Sequence, residues 1–248
     1  MSQACAAPLS RGRLTVRAAE TAADMANLMA LRGRVFRGDA QADDRDAFDV
    51  AAIHVLVEES GVIRAGFRLL AMDSGAGTSL GYAAARYDLS RLASFAPPVL
   101  ELGRFCTHPE AALDTDVLRL AWAFITREVD ARGAGMLCGC TSFPGRDPAR
   151  HRAALAHLTR HLAPEALAPL PRGADAIPFA RDLAGVVPDP VAALAGLPPL
   201  LRTYLMMGGW VSDHAVPDPD LDTLHVFTAV EIAAIPPARA RALRALAG

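Results

Sequence analysis

The stretch VLELGRFCT, residues 99–107, decides the fold, because it places two charges inside an otherwise apolar run that is typical of a buried strand. Side chains of a regular strand alternate between its faces, so Glu101 and Arg104, three positions apart, would point to opposite sides. Gly103 lies between them and offers a bulge that would bring both groups to one side. An unpaired buried carboxylate costs several kcal/mol. Glu101 is therefore held in an ion pair that fixes strand register, or protonated, or used in chemistry.

Strand and helix patterns continue on both sides of this stretch. Apolar or alternating runs predict strands at 13–17, 53–58, 62–71, 80–87, 136–143 and 223–231. Helical spacing and capping residues predict helices at 20–36, 114–132, 147–161, 198–207 and 238–248. This order predicts a single α/β domain over residues 1–248 with a mixed sheet. Its core lies at about 13–162, and residues from about 163 to 248 form a C-terminal elaboration.

Composition excludes several classes of function. The 248 residues are 52% hydrophobic and 21% charged, which is enough for a large core and argues against global disorder. The net charge of −2 gives no electrostatic reason to bind nucleic acid. All 25 basic residues are arginines, so a lysine Schiff base and a P-loop lysine are both excluded.

Cysteine spacing and hydropathy limit which cofactors the protein can hold and where in the cell it can lie. The cysteines at 5, 106, 138 and 140 lack the spacing of a zinc site, so we expect core thiols and no metal. No signal-peptide pattern or membrane-spanning apolar run is present, which predicts a cytoplasmic protein. The basic segment 238–248 has two possible interpretations: a helix that makes a peripheral contact with the inner membrane, or a solvated terminal helix.

An acidic loop precedes the predicted strand at 53–58. It carries four aspartates, Asp43, Asp44, Asp46 and Asp49. Such a loop is either simply solvated or a carboxylate cluster that recognises a cationic group, such as the ammonium of an amino acid. Asp46 and Asp49 are the best placed for the second role, because they lie nearest to the strand.

A second candidate region follows the strand at 136–143. Ser142 lacks a G-x-S-x-G elbow, so we expect a hydroxyl contact from it rather than covalent chemistry. Four arginines follow it along the turn and the next helix: Arg146, Arg150, Arg152 and Arg160. A basic helix face is either solvated or a docking surface for an acidic protein partner.

Together these motifs resemble two related groups of enzymes. Similarity to the shared pattern of acyl-homoserine lactone synthases lies in Arg32-x-x-x-Phe36, Asp46-x-x-Asp49, Phe67-Arg68-Leu69-Leu70 and Glu101-Leu-Gly-Arg104-Phe105. A fuller resemblance, over about residues 28–230, is to the L-ornithine N-acyltransferase family of ornithine-lipid synthesis. It lies in the acidic loop running into HVLV, and in GYAAARYDLSRL, ELGRFCTHP, GCTSFPGRDP and LPPLLRTYLMMGGWVSDHAV.

The resemblance implies a GNAT-like fold, in which helices flank a mixed central sheet. It also implies transfer of a 3-hydroxyacyl group from acyl carrier protein to the α-amine of ornithine, or of glutamine. The product would be a lyso-aminolipid, on which an O-acyltransferase acts next. The donor would be a phosphopantetheine thioester, with no bound cofactor. In agreement, THPEAALDTDVL at 107–118 lacks the glycine-rich turn with which a coenzyme A-using relative holds pyrophosphate.

We expect the following roles under this resemblance. Glu101 would take a proton from the α-ammonium as general base. Arg104 and Arg68 would either orient the acceptor carboxylate or neutralise Glu101 and the acidic loop. The remaining predicted substrate-binding residues are Arg32, Phe36, Asp46, Asp49 and Ser142, and the predicted carrier-docking residues are Arg146, Arg150, Arg152 and Arg160. Two alternatives stay open, a homoserine-lactone-type signal synthase and a non-catalytic acyl- or lipid-binding module.

Overall fold

The computed structural model describes residues 5–112 and 114–248. Its strands, in chain order, are β1 (Leu9–Arg11), β2 (Leu14–Ala18), β3 (Ile53–Glu59), β4 (Val62–Met72), β5 (Tyr87–Asp88), β6 (Val99–Thr107), β7 (Met136–Pro144), β8 (Leu170–Pro171), β9 (Trp210–Val211), β10 (Val216–Asp218) and β11 (Thr223–Glu231). Its α-helices are α1 (Ala22–Arg32), α2 (Thr115–Arg132), α3 (Arg152–Leu158), α4 (Phe179–Asp182), α5 (Pro190–Gly196), α6 (Pro199–Met206) and α7 (Pro237–Ala247).

Shorter helical turns connect these elements. A π-helix spans Gly33–Arg37. The 3₁₀ turns are Ala47–Ala51, Gly75–Leu80, Ala83–Ala85, Ser90–Ser94, Pro109–Ala111, Pro148–His151, Glu165–Leu167 and Ile232–Ala234. No helix within the described residues is long and apolar enough to cross a lipid bilayer.

The chain divides into two compact units, and the first holds the segments up to Ala71, Leu100–Ala134 and Pro237–Gly248. Strands β1 to β4 form an antiparallel run in which each strand pairs with the next, and β6 borders β4. Helix α1 begins with a capping box between Thr21 and Asp24, and it packs Leu28 on the sheet. Helices α1, α2 and α7 all belong to this unit.

The second unit comprises Met72–Val99 and Gly135–Pro236. Strands β7 and β11 pair antiparallel along their full length, and β10 and β9 also pair with β11. Strands β5 and β8 form a separate two-stranded sheet. Helices α3 to α6 belong to this unit, where Leu155 and Leu201 pack with Phe143 of β7 in one core cluster. The expectation of one domain over 1–248 stays a prediction.

Most of the predicted elements are confirmed, and two differ for identifiable reasons. The strands predicted at 99–107 and 223–231 match β6 and β11 residue for residue. The strand predicted at 80–87 is wrong, because the alanine run 83–85 has no β-branched residue and folds as a 3₁₀ turn. The helix predicted to reach 36 changes at Gly33 into the π-helix, where the carbonyls of the following loop leave no room for a Cβ atom.

Candidate active site

Asp44 is the most deeply buried carboxylate of the acidic loop, with no exposed side-chain surface. Its two carboxylate oxygens accept hydrogen bonds from the Nε atoms of Arg32 at 3.0 Å, Arg37 at 3.0 Å and Arg104 at 2.9 Å. Arg32 also donates through Nη2 to the backbone carbonyl of Asp44 at 2.5 Å. One aspartate therefore compensates parts of three guanidinium charges, and removing it would leave buried cations without their counter-charge.

Arg68 of β4 binds two further aspartates of the loop, Asp46 and Asp49. Its Nη1 donates to Asp46 at 2.5 Å and to Asp49 at 2.6 Å, and its Nη2 donates to the second oxygen of Asp46 at 2.9 Å. The guanidinium is almost wholly buried, with 1% of its side chain exposed. This is the bidentate geometry in which arginine binds carboxylates most strongly.

The Asp46-x-x-Asp49 spacing has a local cause. Asp46 caps the 3₁₀ turn Ala47–Ala51 by accepting the N–H of Phe48 at 3.0 Å. Asp49 accepts the N–H of Asp46 at 2.9 Å, which completes a capping box. The same two side chains that bind Arg68 therefore fix the backbone of the loop.

Further contacts join these groups into one assembly, which we call the aspartate–arginine cluster: Arg32, Arg37, Asp44, Asp46, Asp49, Arg68 and Arg104. Arg32 donates to Asp49 at 2.7 Å, and Arg104 lies 3.4 Å from Asp46. Two aromatic rings stack near the guanidiniums, with Phe36 5.5 Å from Arg104 and Phe48 5.8 Å from Arg68. The structure thus brings together Arg32, Phe36, Asp46, Asp49, Arg68 and Arg104 from the predicted site.

Strand β6 carries the remaining predicted catalytic group of this unit. Glu101 is buried, with 3% of its surface exposed. The strand departs from extended geometry at Arg104, where φ is 50°, and not at the neighbouring glycine. Gly103 has a different use, because a Cβ atom there would lie 3.3 Å from Nε of Arg68. The predicted irregularity therefore exists one residue later, and the glycine makes room for a guanidinium.

Burial and ion pairing act in opposite directions on the pKa values of the cluster. Burial alone would raise the pKa of Asp49, but hydrogen bonds from Arg32, the Asp46 N–H and Arg68 hold it well below its usual range. Burial alone would lower the pKa of Arg68, and its bonds to Asp46 and Asp49 raise it instead. Nε2 of His54 donates to the backbone carbonyl of Asp49, 3.0 Å away, and burial lowers the pKa of His54.

The predicted residues of the second unit all lie at its surface. Ser142 is exposed near the end of β7. The four arginines proposed for partner docking are exposed as well: Arg146, Arg150, Arg152 and Arg160. Arg146 donates to Asp222 at 3.0 Å. Nothing in the described residues tests their functional roles, which stay predictions.

The segment between β6 and α2 places carboxylates where an anion-binding turn would need amides. His108 caps the 3₁₀ turn Pro109–Ala111 through its side chain. Asp114 is the N-cap of α2 and accepts the N–H of Asp116, itself a carboxylate in the first helical turn. The positive end of the α2 dipole is therefore already compensated by acidic side chains.

Sequence reasoning missed Asp44 as the centre of the cluster. Asp43 and Asp44 are adjacent acidic residues in a loop without periodicity, so no pattern separates them. The structure distinguishes the two residues, because the Asp43 side chain is 66% exposed while that of Asp44 is fully buried. His54 was missed as well, and its only signal is a position one residue into a strand that follows the loop.

We predict that Asp44→Asn destabilises the protein by about 3–5 kcal/mol, because it leaves the guanidiniums of Arg32 and Arg104 buried without that charge. Urea unfolding of the purified variant measures this. The matched control is Asp43→Asn, which should lie within about 0.5 kcal/mol of wild type. Equal stabilities of the two variants would contradict the central place of Asp44.

We predict a second effect in the acid dependence of stability. The folded-state pKa of Asp49 is depressed, so its contribution is fully present above its unfolded pKa of about 3.9 and is lost as pH falls through the lower folded value. The difference in unfolding free energy between wild type and Asp49→Asn should therefore be constant from neutral pH down to about 4 and shrink below it. If the difference in unfolding free energy between the two proteins grows on acidification, the pKa of Asp49 is not depressed in the folded state.

Comparisons with known proteins agree with this architecture. A family model described as acetyltransferase (GNAT) domain matches residues 31–123. The structure of FeeM, an N-acyl amino acid synthase from uncultured soil microbes, aligns with a TM-score of 0.53 at 10% identity, over 97% of this chain and 98% of that chain. The predicted GNAT-like fold, a mixed sheet flanked by helices, is confirmed.

Sequence relatives carry one shared name. The L-ornithine N(alpha)-acyltransferase of Rhodobacter capsulatus is 32% identical over 77% of this chain and 76% of its own length. The protein of the same name from Rhizobium meliloti is 31% identical over 94% of this chain and 86% of its own. The chain is an acyltransferase and belongs to the L-ornithine N(alpha)-acyltransferase family.

Proposed function

We propose that this protein transfers a 3-hydroxyacyl group from acyl carrier protein to the α-amine of ornithine, with glutamine as the alternative acceptor. The observation that carries the proposal is the match to two relatives named L-ornithine N(alpha)-acyltransferase over 77% and 94% of the chain. The product is a lyso-aminolipid whose 3-hydroxyl remains available to a following O-acyltransferase. We propose that the reaction takes place in the cytoplasm, and that the protein makes a peripheral contact with the inner membrane, where the amphipathic product leaves.

The proposed reaction is a direct aminolysis. The amine nitrogen attacks the thioester carbon, the C–N bond forms and the C–S bond breaks, and the carrier leaves as a thiolate that takes up the proton which the nitrogen loses on becoming an amide. The α-ammonium must first lose a proton to become a nucleophile. Glu101 is the proposed base, because it is the buried carboxylate on β6, the strand that also carries Arg104.

We assign the aspartate–arginine cluster to positioning. Asp46 and Asp49 already bind Arg68, and Asp49 also binds Arg32. These contacts support a role for the two aspartates in fixing the acidic loop, rather than in binding a cationic substrate. Of the two roles predicted for Arg68 and Arg104, neutralising the loop is the one that their contacts support. Arg32 and Phe36 then act by fixing Arg104 and the loop, and Ser142 is proposed as a separate hydroxyl contact to substrate.

The segment after β6 supports a carrier-protein thioester as donor. Coenzyme A brings a pyrophosphate, which needs backbone N–H groups or cations. Asp114 and Asp116 stand at the start of α2 and would repel it. A carrier protein instead contributes its own surface, and the exposed arginines Arg150 and Arg152 offer complementary charge to an acidic partner.

Product mass tests the reaction. Incubation with 3-hydroxyacyl carrier protein and a panel of amino acids should give N-acylornithine or N-acylglutamine by mass spectrometry. Glu101→Gln should lower kcat by about 10²–10⁴-fold, because the base is lost. The control is Glu20→Gln, which makes the same substitution at an exposed carboxylate of the same unit, and this variant should turn over normally. A lactone product would favour a signal synthase, and no amino-acid-dependent thioester cleavage would favour a binding module.

Carrier docking is tested separately by charge reversal. The double variant R150E/R152E should raise KM for the acyl carrier by about tenfold with little change in kcat, since docking charges act on association. The effect should weaken at high salt. R91E/R181E changes the net charge of the same unit equally, at two other exposed arginines, and is the control. An equal KM for both double variants would remove the docking surface from the proposal.

A further inference from the structure

Helices α5 and α6 of the second unit lie in a segment with almost no charge. Residues 190–212, which include both helices, contain a single charged side chain, that of Arg202, although 21% of the whole chain is charged. Helix α5 is built only from alanine, valine, leucine, proline and glycine. A surface helix normally carries polar side chains on its outer face. The composition of this segment is therefore typical of a protein core.

The structure nevertheless exposes the larger side chains of α5. Ala193 is buried, and a Cβ atom on Gly196 would lie 3.4 Å from Cβ of Ala154 on α3, so the helix packs through its smallest residues. Val191 is 77% exposed and Leu194 is 50% exposed. Folding therefore leaves in water the two side chains of α5 that would gain most from leaving it. Clustered apolar exposure of this kind marks an interaction site.

Arg202 of α6 places a positive charge at the end of α5. Its Nε donates to the backbone carbonyl of Leu197, the C-cap residue of α5, at 3.0 Å. Throughout residues 5–112 and 114–248, no carboxylate lies at ion-pair distance from Arg202. Met206 follows one turn later on α6 and is also exposed. We call Val191, Leu194, Arg202 and Met206 the α5–α6 patch.

The acidic residue that precedes α5 lies at the other end of the helix. Asp189 is the N-cap of α5, and its carboxylate accepts the N–H of Val191 at 3.0 Å. A helix of seven residues is about 10 Å long, so Asp189 is separated from the C-terminal end of α5 by roughly that distance. Its charge stabilises the start of the helix and does not neutralise Arg202.

We propose that the α5–α6 patch binds the surface of an anionic lipid bilayer, an inference that deepens the membrane contact of the proposed function and rests on it. Val191, Leu194 and Met206 enter the boundary between head groups and acyl chains, and Arg202 reaches the lipid phosphates. Each part of the patch thereby gains the partner that it lacks in the protein alone. A product with a long acyl chain is then released where it partitions.

Helix α7, which the sequence offered for a membrane contact, is held against the protein instead. Arg244 donates to both carboxylate oxygens of Asp130 on α2, at 3.0 and 2.9 Å. Arg127 of α2 donates to the backbone carbonyl of the buried Ala247 at 2.6 Å. These contacts fix the last turn of α7 on α2. The bilayer contact is therefore assigned to α5 and α6 rather than to residues 238–248.

A second copy of the chain is a poorer occupant of the patch. In a two-fold dimer the patch would meet itself, so an apolar and basic surface would face an identical one. Burying two guanidiniums in that interface has a desolvation cost that no carboxylate of the patch offsets. Lipid phosphates supply the missing negative charge, and each anionic lipid surface strengthens the attraction of a nearby arginine.

Vesicle binding, measured without turnover, tests the apolar part of the patch. The full-length protein is co-sedimented with vesicles of phosphatidylglycerol and phosphatidylcholine in equal amounts. The double variant V191E/L194E should lower the partition coefficient by about tenfold or more, because it removes the apolar side chains and adds negative charge. The matched control is V50E/L80E, which makes the same two changes at an exposed valine and an exposed leucine outside the patch, and it should bind as wild type does.

Lipid charge tests the role of Arg202. Arg202→Gln should weaken binding to the mixed vesicles about fivefold and leave binding to pure phosphatidylcholine vesicles unchanged. Arg181→Gln, at an exposed arginine that Asp182 already pairs at 2.9 Å, is the control and should change neither. The assignment is overturned if wild type binds no mixed vesicles, if it binds both kinds equally, or if V191E/L194E binds as tightly as wild type.

Two further measurements distinguish the other occupants. V191E/L194E should keep the kcat and KM of wild type with soluble substrates, because the proposal gives the patch no part in catalysis. A raised KM for acyl carrier protein would show a protein-docking surface, and a wild-type dimer that this variant dissociates would show a self-interface; either result overturns the proposal. A protein that binds mixed vesicles through the patch but forms no N-acyl amino acid contradicts the proposed function and leaves the lipid surface supported.

Discussion

The buried charge of Asp44 is the constraint on which the first unit depends. Its carboxylate is fully enclosed and accepts hydrogen bonds from Arg32 at the end of α1 and Arg104 on β6. Charges buried in this way are stable only while each keeps its partners. The helix, the acidic loop and the strand must therefore meet in a single arrangement. Arg104 adopts a positive φ there, a conformation costing on the order of 1–3 kcal/mol, which its ion pairs offset.

The same constraint organises the proposed reaction. Strand β6 carries Glu101, the proposed base, and Arg104, which holds the strand to the acidic loop. A strand that is fixed at its middle by Arg104 keeps its two ends at a set separation. The buried ion pair therefore also holds Glu101, the proposed base, at a fixed place on the strand.

Much of this organisation can be predicted from the sequence. The remainder cannot, because it depends on contacts between distant parts of the chain. The bounds of β6 were predicted because its apolar pattern is a local property of the sequence. For Arg68 and Arg104 the sequence left two roles open, binding the acceptor carboxylate or neutralising the acidic loop, since an arginine's choice between substrate and neighbouring aspartates depends on which loop folds over it. Asp44 could not be separated from Asp43, because burial is a tertiary property.

A double-mutant cycle on Asp44 and Arg104 tests the central claim most directly. Unfolding free energy and kcat are measured for wild type, Asp44→Asn, Arg104→Gln and the double variant. If the buried ion pair holds β6 in its working position, the coupling energy in stability should be about 2 kcal/mol or more, and the losses in kcat should be strongly non-additive. Coupling below about 0.5 kcal/mol, with independent effects on turnover, would contradict the account.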